Sequence, residues 1–96
     1  MAVNHMVWIC FRDGVPAERI AEHLGALQSL RARVPDILEL HLGRNFTDRA
    51  DGYTHGLSVI LADRAALAAY AAHPDHVAVA TALRQDAKIL ALDYEY

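Results

Sequence analysis

Apolar and polar positions alternate at the start of the chain. Between His5 and Arg12, Val7, Ile9 and Phe11 share one face with His5, and Met6, Trp8 and Cys10 share the other. Side chains alternate across a strand, so this is a β-strand apolar on both faces, and both faces need cover. Asp13-Gly14 marks a turn. Pro16 then opens a helix, where its missing N–H costs nothing. Ile20, Leu24, Leu27, Leu30 and Val34 recur at spacings of four and three. They form one apolar stripe on a helix of about five turns, which Pro35 ends.

Residues 37–43 alternate again. Leu38, Leu40 and Leu42 point one way and Glu39 and His41 the other, the pattern of a second strand. Asn45 to Gly52 is polar and turn-rich. Tyr53 to Leu61 predicts a third strand with Tyr53, His55, Leu57, Val59 and Leu61 on one face. Asp63 is a good N-cap for an alanine-rich helix through Ala72. Pro74 starts a second helical segment with Val77, Ala80 and Leu83 as its apolar face. Ile89 to Tyr96 is a last strand, with Ile89 and Ala91 opposed to Leu90, Leu92, Tyr94 and Tyr96.

The order β-α-β-β-α-β is the split βαβ arrangement of ferredoxin-like α+β folds. It predicts a four-stranded antiparallel sheet with the helices on one face, as one domain over residues 1–96. The other face is left open although strand one is apolar there. A second copy of the same sheet is the economical lid, so a homodimer through the sheet face is expected, a dimeric α/β barrel.

Composition narrows the function classes. Of 96 residues, 54% are hydrophobic, enough for a core, but a domain this small gains from a partner subunit. The net charge of −3 argues against nucleic acid and anionic membrane, both of which need a basic patch. No apolar run approaches the roughly 20 residues of a bilayer span, and the N-terminus lacks the pattern of a signal peptide. The single Cys10 permits no internal disulfide, and a cytoplasmic location is the simplest expectation. Cys10 reads as an inert buried thiol.

The stretch Tyr70-Ala-Ala-His-Pro-Asp-His-Val77 carries the candidate chemistry. A tyrosine and two histidines fall within seven residues. Three readings fit: an active site, a metal clip or a plain helix junction. A metal clip is disfavoured, because Pro74 places His73 at or before the helix start and no second ligand cluster is evident. A neutral imidazole at His76 suits removal of a proton between two carbonyls. The phenol of Tyr70 suits donation to the oxyanion that develops. No cofactor is then required. His5 and His55 lie on inward strand faces, and their rings are expected to converge on a pocket. His23 and His41 read as exposed, and Asp48, Arg49 and Asp51 as a solvated loop.

Over its whole length the sequence resembles the stress-responsive dimeric α/β-barrel (Dabb) family. The matching segments are Val-Asn-His-Met-Val-Trp-Ile-Cys-Phe-Arg-Asp-Gly at 3–14, Gly-Tyr-Thr-His at 52–55, Tyr-Ala-Ala-His-Pro-Asp-His-Val-Ala-Val at 70–79 and the closing Ile-Leu-Ala-Leu-Asp-Tyr. In a polyketide-cyclising member of that family, a tyrosine and a histidine of this motif catalyse an aldol ring closure without cofactor. By resemblance these are Tyr70 and His76. His5, His55 and His73 stand where that member also carries histidine. Its alkyl pocket is lined by aromatic residues on the first helix, whereas this chain has His23, Leu24 and Leu27. The substrate-binding set implied is therefore His5, His55 and His73 with Val7, Ile9, Leu24, Leu27 and Val59, around a hydrophobic small molecule. Two alternatives accompany the cyclase-like reading. One is a non-catalytic, stress-responsive dimer that binds a hydrophobic small molecule. The other is a monooxygenase of the antibiotic-biosynthesis type.

Overall fold

The computed structural model describes residues 1–96. The elements are β1 (Val3–Phe11), α1 (Ala17–Arg33), β2 (Ile37–Arg44), β3 (His55–Leu61), α2 (Arg64–Ala72), α3 (Pro74–Asp86) and β4 (Ala87–Glu95). The strands form one antiparallel sheet in the order β2-β3-β1-β4. This is the ferredoxin-like β-α-β-β-α-β arrangement with its helices on one face.

The register fixes which side chains face the helices. Val3, Val7 and Ile9 of β1 stand opposite Leu61, Leu57 and His55 of β3. Val3, Val7, Ile9, Leu57, Val59 and Leu61 form the core with Leu27, Leu30 and Val34 of α1 and its C-cap, and with Tyr70 and Leu83. The α1 stripe works as its spacing predicts, most tightly toward its C-terminal end: Leu30 and Val34 are fully buried, while Ile20 and Leu24 are half-buried. Asp63 caps α2, its carboxylate accepting from the Ala66 N–H at 2.8 Å.

Three local expectations change. A bulge between Ile37 and Glu39 inserts Leu38 as an extra residue, so Ile37, not Leu38, pairs with Leu61 on the helix side. A bulge sets two residues against one and breaks the alternation, which leaves Leu38 half exposed. Tyr53 lies before β3 and packs on the opposite side of the sheet, its ring 6.1 Å from Trp8. In α3, Val77 points outward while Leu83 is buried and Val79 joins the core edge.

The far side of the sheet has no cover from this chain. Trp8, Leu90, Leu92 and Tyr94 are all exposed there. Cys10 is on the same side, only half-buried, and donates its thiol to the Gly52 carbonyl at 3.3 Å. It is not the fully buried thiol the sequence suggested.

Candidate functional site

The centre of the site is a helix junction. His73 ends α2 and caps α3, its Nδ1 accepting from the Asp75 N–H at 3.1 Å. Pro74 takes the first helical position, where it fits. One residue therefore joins the two helices, and the role of His73 is to hold that joint. Tyr70, in the last turn of α2, and His76, in the first turn of α3, are brought together by it. Their ring centroids are 4.4 Å apart.

The third ring comes from the sheet. His5 of β1 meets Tyr70 edge-on, with centroids 5.6 Å apart. Pairing of β1 with β4 sets His5 opposite Asp93, and Nδ1–H of His5 donates to the Asp93 carboxylate. His76 is held alike, Nδ1–H donating to the Ala71 carbonyl at 3.1 Å. Each imidazole therefore has its Nδ1 committed and its Nε2 left as the free ring nitrogen.

Burial sets the electrostatics. It lowers the pKa of His76 from its ordinary 6.5, the Ala71 bond opposing this in part and His5, Arg84 and His73 adding to it. His76 is therefore neutral at pH 7, a base with a bare Nε2. Burial raises the Tyr70 phenol to about 12, so it remains a donor. Tyr70 is 1% exposed and its hydroxyl makes no hydrogen bond to the protein. No buried polar side-chain atom lacks a partner, so that hydroxyl sits at the accessible edge of the ring. A neutral base, a protonated phenol and a carboxylate-oriented imidazole thus adjoin one another.

The other expected site residues fall elsewhere. His55 pairs with Ile9, whereas His5 pairs with Val59. Their rings do not converge, because four residues of β1 separate them, roughly 13 Å along the strand. His55 donates from Nδ1 to Thr54 Oγ1 at 2.8 Å and packs 5.5 Å from Phe11. Val7, Ile9, Val59 and Leu27 are core, at most 7% exposed. Leu24 lines a cavity of about 480 Å³ under α1 with Phe11, Ile20, Arg44 and His55. Neither Tyr70 nor His76 lines it.

His23 is buried, contrary to expectation. Its Nε2–H donates to Asp86 Oδ2 at 2.7 Å, and Arg19 grips the same carboxylate at 2.8 and 2.9 Å. This ties α1 to the end of α3, and it gives His23 a structural role. His41 is exposed, as expected. Sequence reasoning missed Asp93. Its signal was present: an acidic residue on the inward phase of β4, in register with a histidine of β1.

Comparison with known proteins places this geometry. The model of the stress responsive A/B barrel domain matches residues 3–96. The chain belongs to that family. It is 32% identical over 96 residues to the stress-response A/B barrel domain-containing protein HS1 of Arabidopsis thaliana, covering 97% of this chain and 88% of that one. It is 27% identical over 97 residues to olivetolic acid cyclase of Cannabis sativa, covering 98% and 96%. Among solved structures, a dimeric ferredoxin-like protein of unknown function from Jannaschia sp. CCS1 superposes with a TM-score of 0.86. It is 28% identical, with complete coverage of both chains. Family membership thus joins this fold to relatives of more than one activity.

Proposed function

We propose that the Tyr70–His76–His5 cluster is a cofactor-independent acid–base site acting on a β-dicarbonyl, polyketide-like substrate. The observation that carries this reading is the 4.4 Å approach of a buried phenol with an unengaged hydroxyl to a neutral imidazole with a free Nε2. Nε2 of His76 removes a proton from the carbon between two carbonyls. The resulting enolate carbon attacks a ketone of the same molecule and forms the ring-closing C–C bond. Tyr70 hydrogen-bonds the developing alkoxide, and the proton on His76 returns to it. The aldol product is an isomer of the substrate, so no external reactant is consumed. His5, oriented by Asp93, positions the substrate or the phenol. The relation to olivetolic acid cyclase supports the substrate class.

The protein acts as a homodimer joined through the open sheet face. The exposed Trp8, Leu90 and Leu92 and the dimeric Jannaschia relative support this.

The test is a panel of poly-β-keto thioesters analysed by mass spectrometry. A cyclised product that disappears with His76→Ala and Tyr70→Phe is expected. Identical product profiles for all three proteins would remove the catalytic reading. A second reading, a dimer that only binds a hydrophobic molecule, draws on the 480 Å³ cavity that neither catalytic candidate lines. Native mass spectrometry that recovers an unaltered ligand from the wild type would favour it.

A further inference from the structure

The cavity under α1 has a chemistry of its own. Phe11, Ile20 and Leu24 form its apolar wall, and Arg44, Thr54 and His55 its polar end. Its volume of about 480 Å³ lies in the range that small-molecule sites occupy. Phe11 is six residues from His5 on the same face of β1, roughly 20 Å along the strand. The cavity is therefore distinct from the Tyr70–His76 site.

Two of its three polar groups are already engaged. The Thr54 hydroxyl donates to the Ile9 carbonyl at 3.2 Å, and His55 Nδ1–H donates to Thr54 Oγ1 at 2.8 Å. Burial, and then the nearby Arg44 charge, lowers the pKa of His55, so it is neutral at pH 7. Arg44 is the remaining group. It enters none of the ion pairs of the molecule, and no Asp or Glu lines the cavity. The cavity thus combines an apolar body with one uncompensated cation at its end.

We infer that this cavity binds an apolar monocarboxylate, with the hydrocarbon against Phe11, Ile20 and Leu24 and the carboxylate on the guanidinium fork of Arg44. A guanidinium matches a carboxylate with two parallel N–H bonds. A single cation beside a neutral imidazole balances one negative charge, which favours a carboxylate over a dianionic phosphate. The site lies on the helix side of the sheet, so a partner seated on the open face leaves it accessible.

Octanoate and octanol are the probes, compared by calorimetry and by NMR shift mapping on the full chain. Octanoate is expected to bind more tightly and to shift Phe11, Ile20 and Leu24. Arg44→Gln should weaken octanoate about tenfold or more, as loss of a charged hydrogen bond does, and leave octanol unchanged. Ala21→Phe adds a ring to the cavity lining from an exposed helix position and should abolish both. Three results overturn the proposal: no saturable binding of octanoate, octanoate affinity unmoved by Arg44→Gln, or shifts confined to Met6, Trp8 and Leu92 on the open face.

Discussion

At the scale of single residues, Tyr70 and His76 divide the work by what burial does to each. Burial opposes charge, so it holds one ring as a protonated donor and the other as a neutral base. If the pair is catalytic, His76→Ala should lower kcat by about a hundredfold or more, the usual worth of a positioned base. Tyr70→Phe should lose a comparable factor with little change in KM. The acid limb of kcat/KM should lie below pH 6.5, because the pKa of His76 is lowered from that value, and no alkaline limb from Tyr70 should appear below about pH 12. The same shift carries a stability term. The folded state binds the proton less readily than the unfolded chain, so the neutral ring's contribution is complete above pH 6.5. It is lost as pH falls through 6.5 toward the folded value. Urea titrations at stepped pH should show that decline, and His76→Ala should flatten it. Asp93 belongs at this scale too. Asp93→Asn should reduce kcat without abolishing it and move the pH profile, whereas a purely structural role would leave the profile in place.

At the scale of elements, the site depends on a joint one residue long. His73 is both the stop of α2 and the cap of α3, and this is what brings Tyr70 within reach of His76. Loss of an N-cap typically costs about 1 kcal/mol. His73→Ala should therefore lower unfolding free energy by about that amount and reduce activity, while His73→Asn, a strong capping residue, should restore both. Denaturant melts with parallel activity assays separate this from a binding role, which Asn would not restore. Most of this level was legible in the sequence. Proline at 74, aspartate at 63 and the leucine stripe of α1 are local signals, and local geometry obeys them. What was not legible is pairing. Leu38 follows a clean alternation, but the bulge is set by where β2 meets β3, and no property of residues 37–43 announces it. His23 looked exposed because its partner, Asp86, is 63 residues away. His5 and His55 were expected to converge because the strands are neighbours. Their separation follows from antiparallel register, which sequence patterning alone leaves open.

At the scale of the whole molecule, the sheet is half a sandwich. Its helix side is a core, and its other side shows Trp8, Leu90 and Leu92 at 47%, 51% and 61% exposure. Contiguous exposed apolar surface of this kind marks an interaction site. A polar stitch runs beside it: Ser58 donates to Asn4 at 2.8 Å, and Asn4 donates to the Tyr94 hydroxyl at 2.9 Å. Apolar area drives such an association, and fixed polar groups select one orientation from the many that a flat apolar face allows. A C2 pairing uses the same patch on both subunits, so one substitution strikes the interface twice. Leu92→Glu buries two unpaired carboxylates in any sheet-to-sheet dimer, a cost of several kcal/mol, yet in the free subunit it remains on an exposed surface. Sedimentation should therefore give a dimer for the wild type and a folded monomer for the variant. The melting temperature of the wild type should rise with protein concentration, because only the folded state associates, and that of the variant should not. A Leu92→Glu protein that remains dimeric would move the interface elsewhere, and the apolar face would then need another occupant.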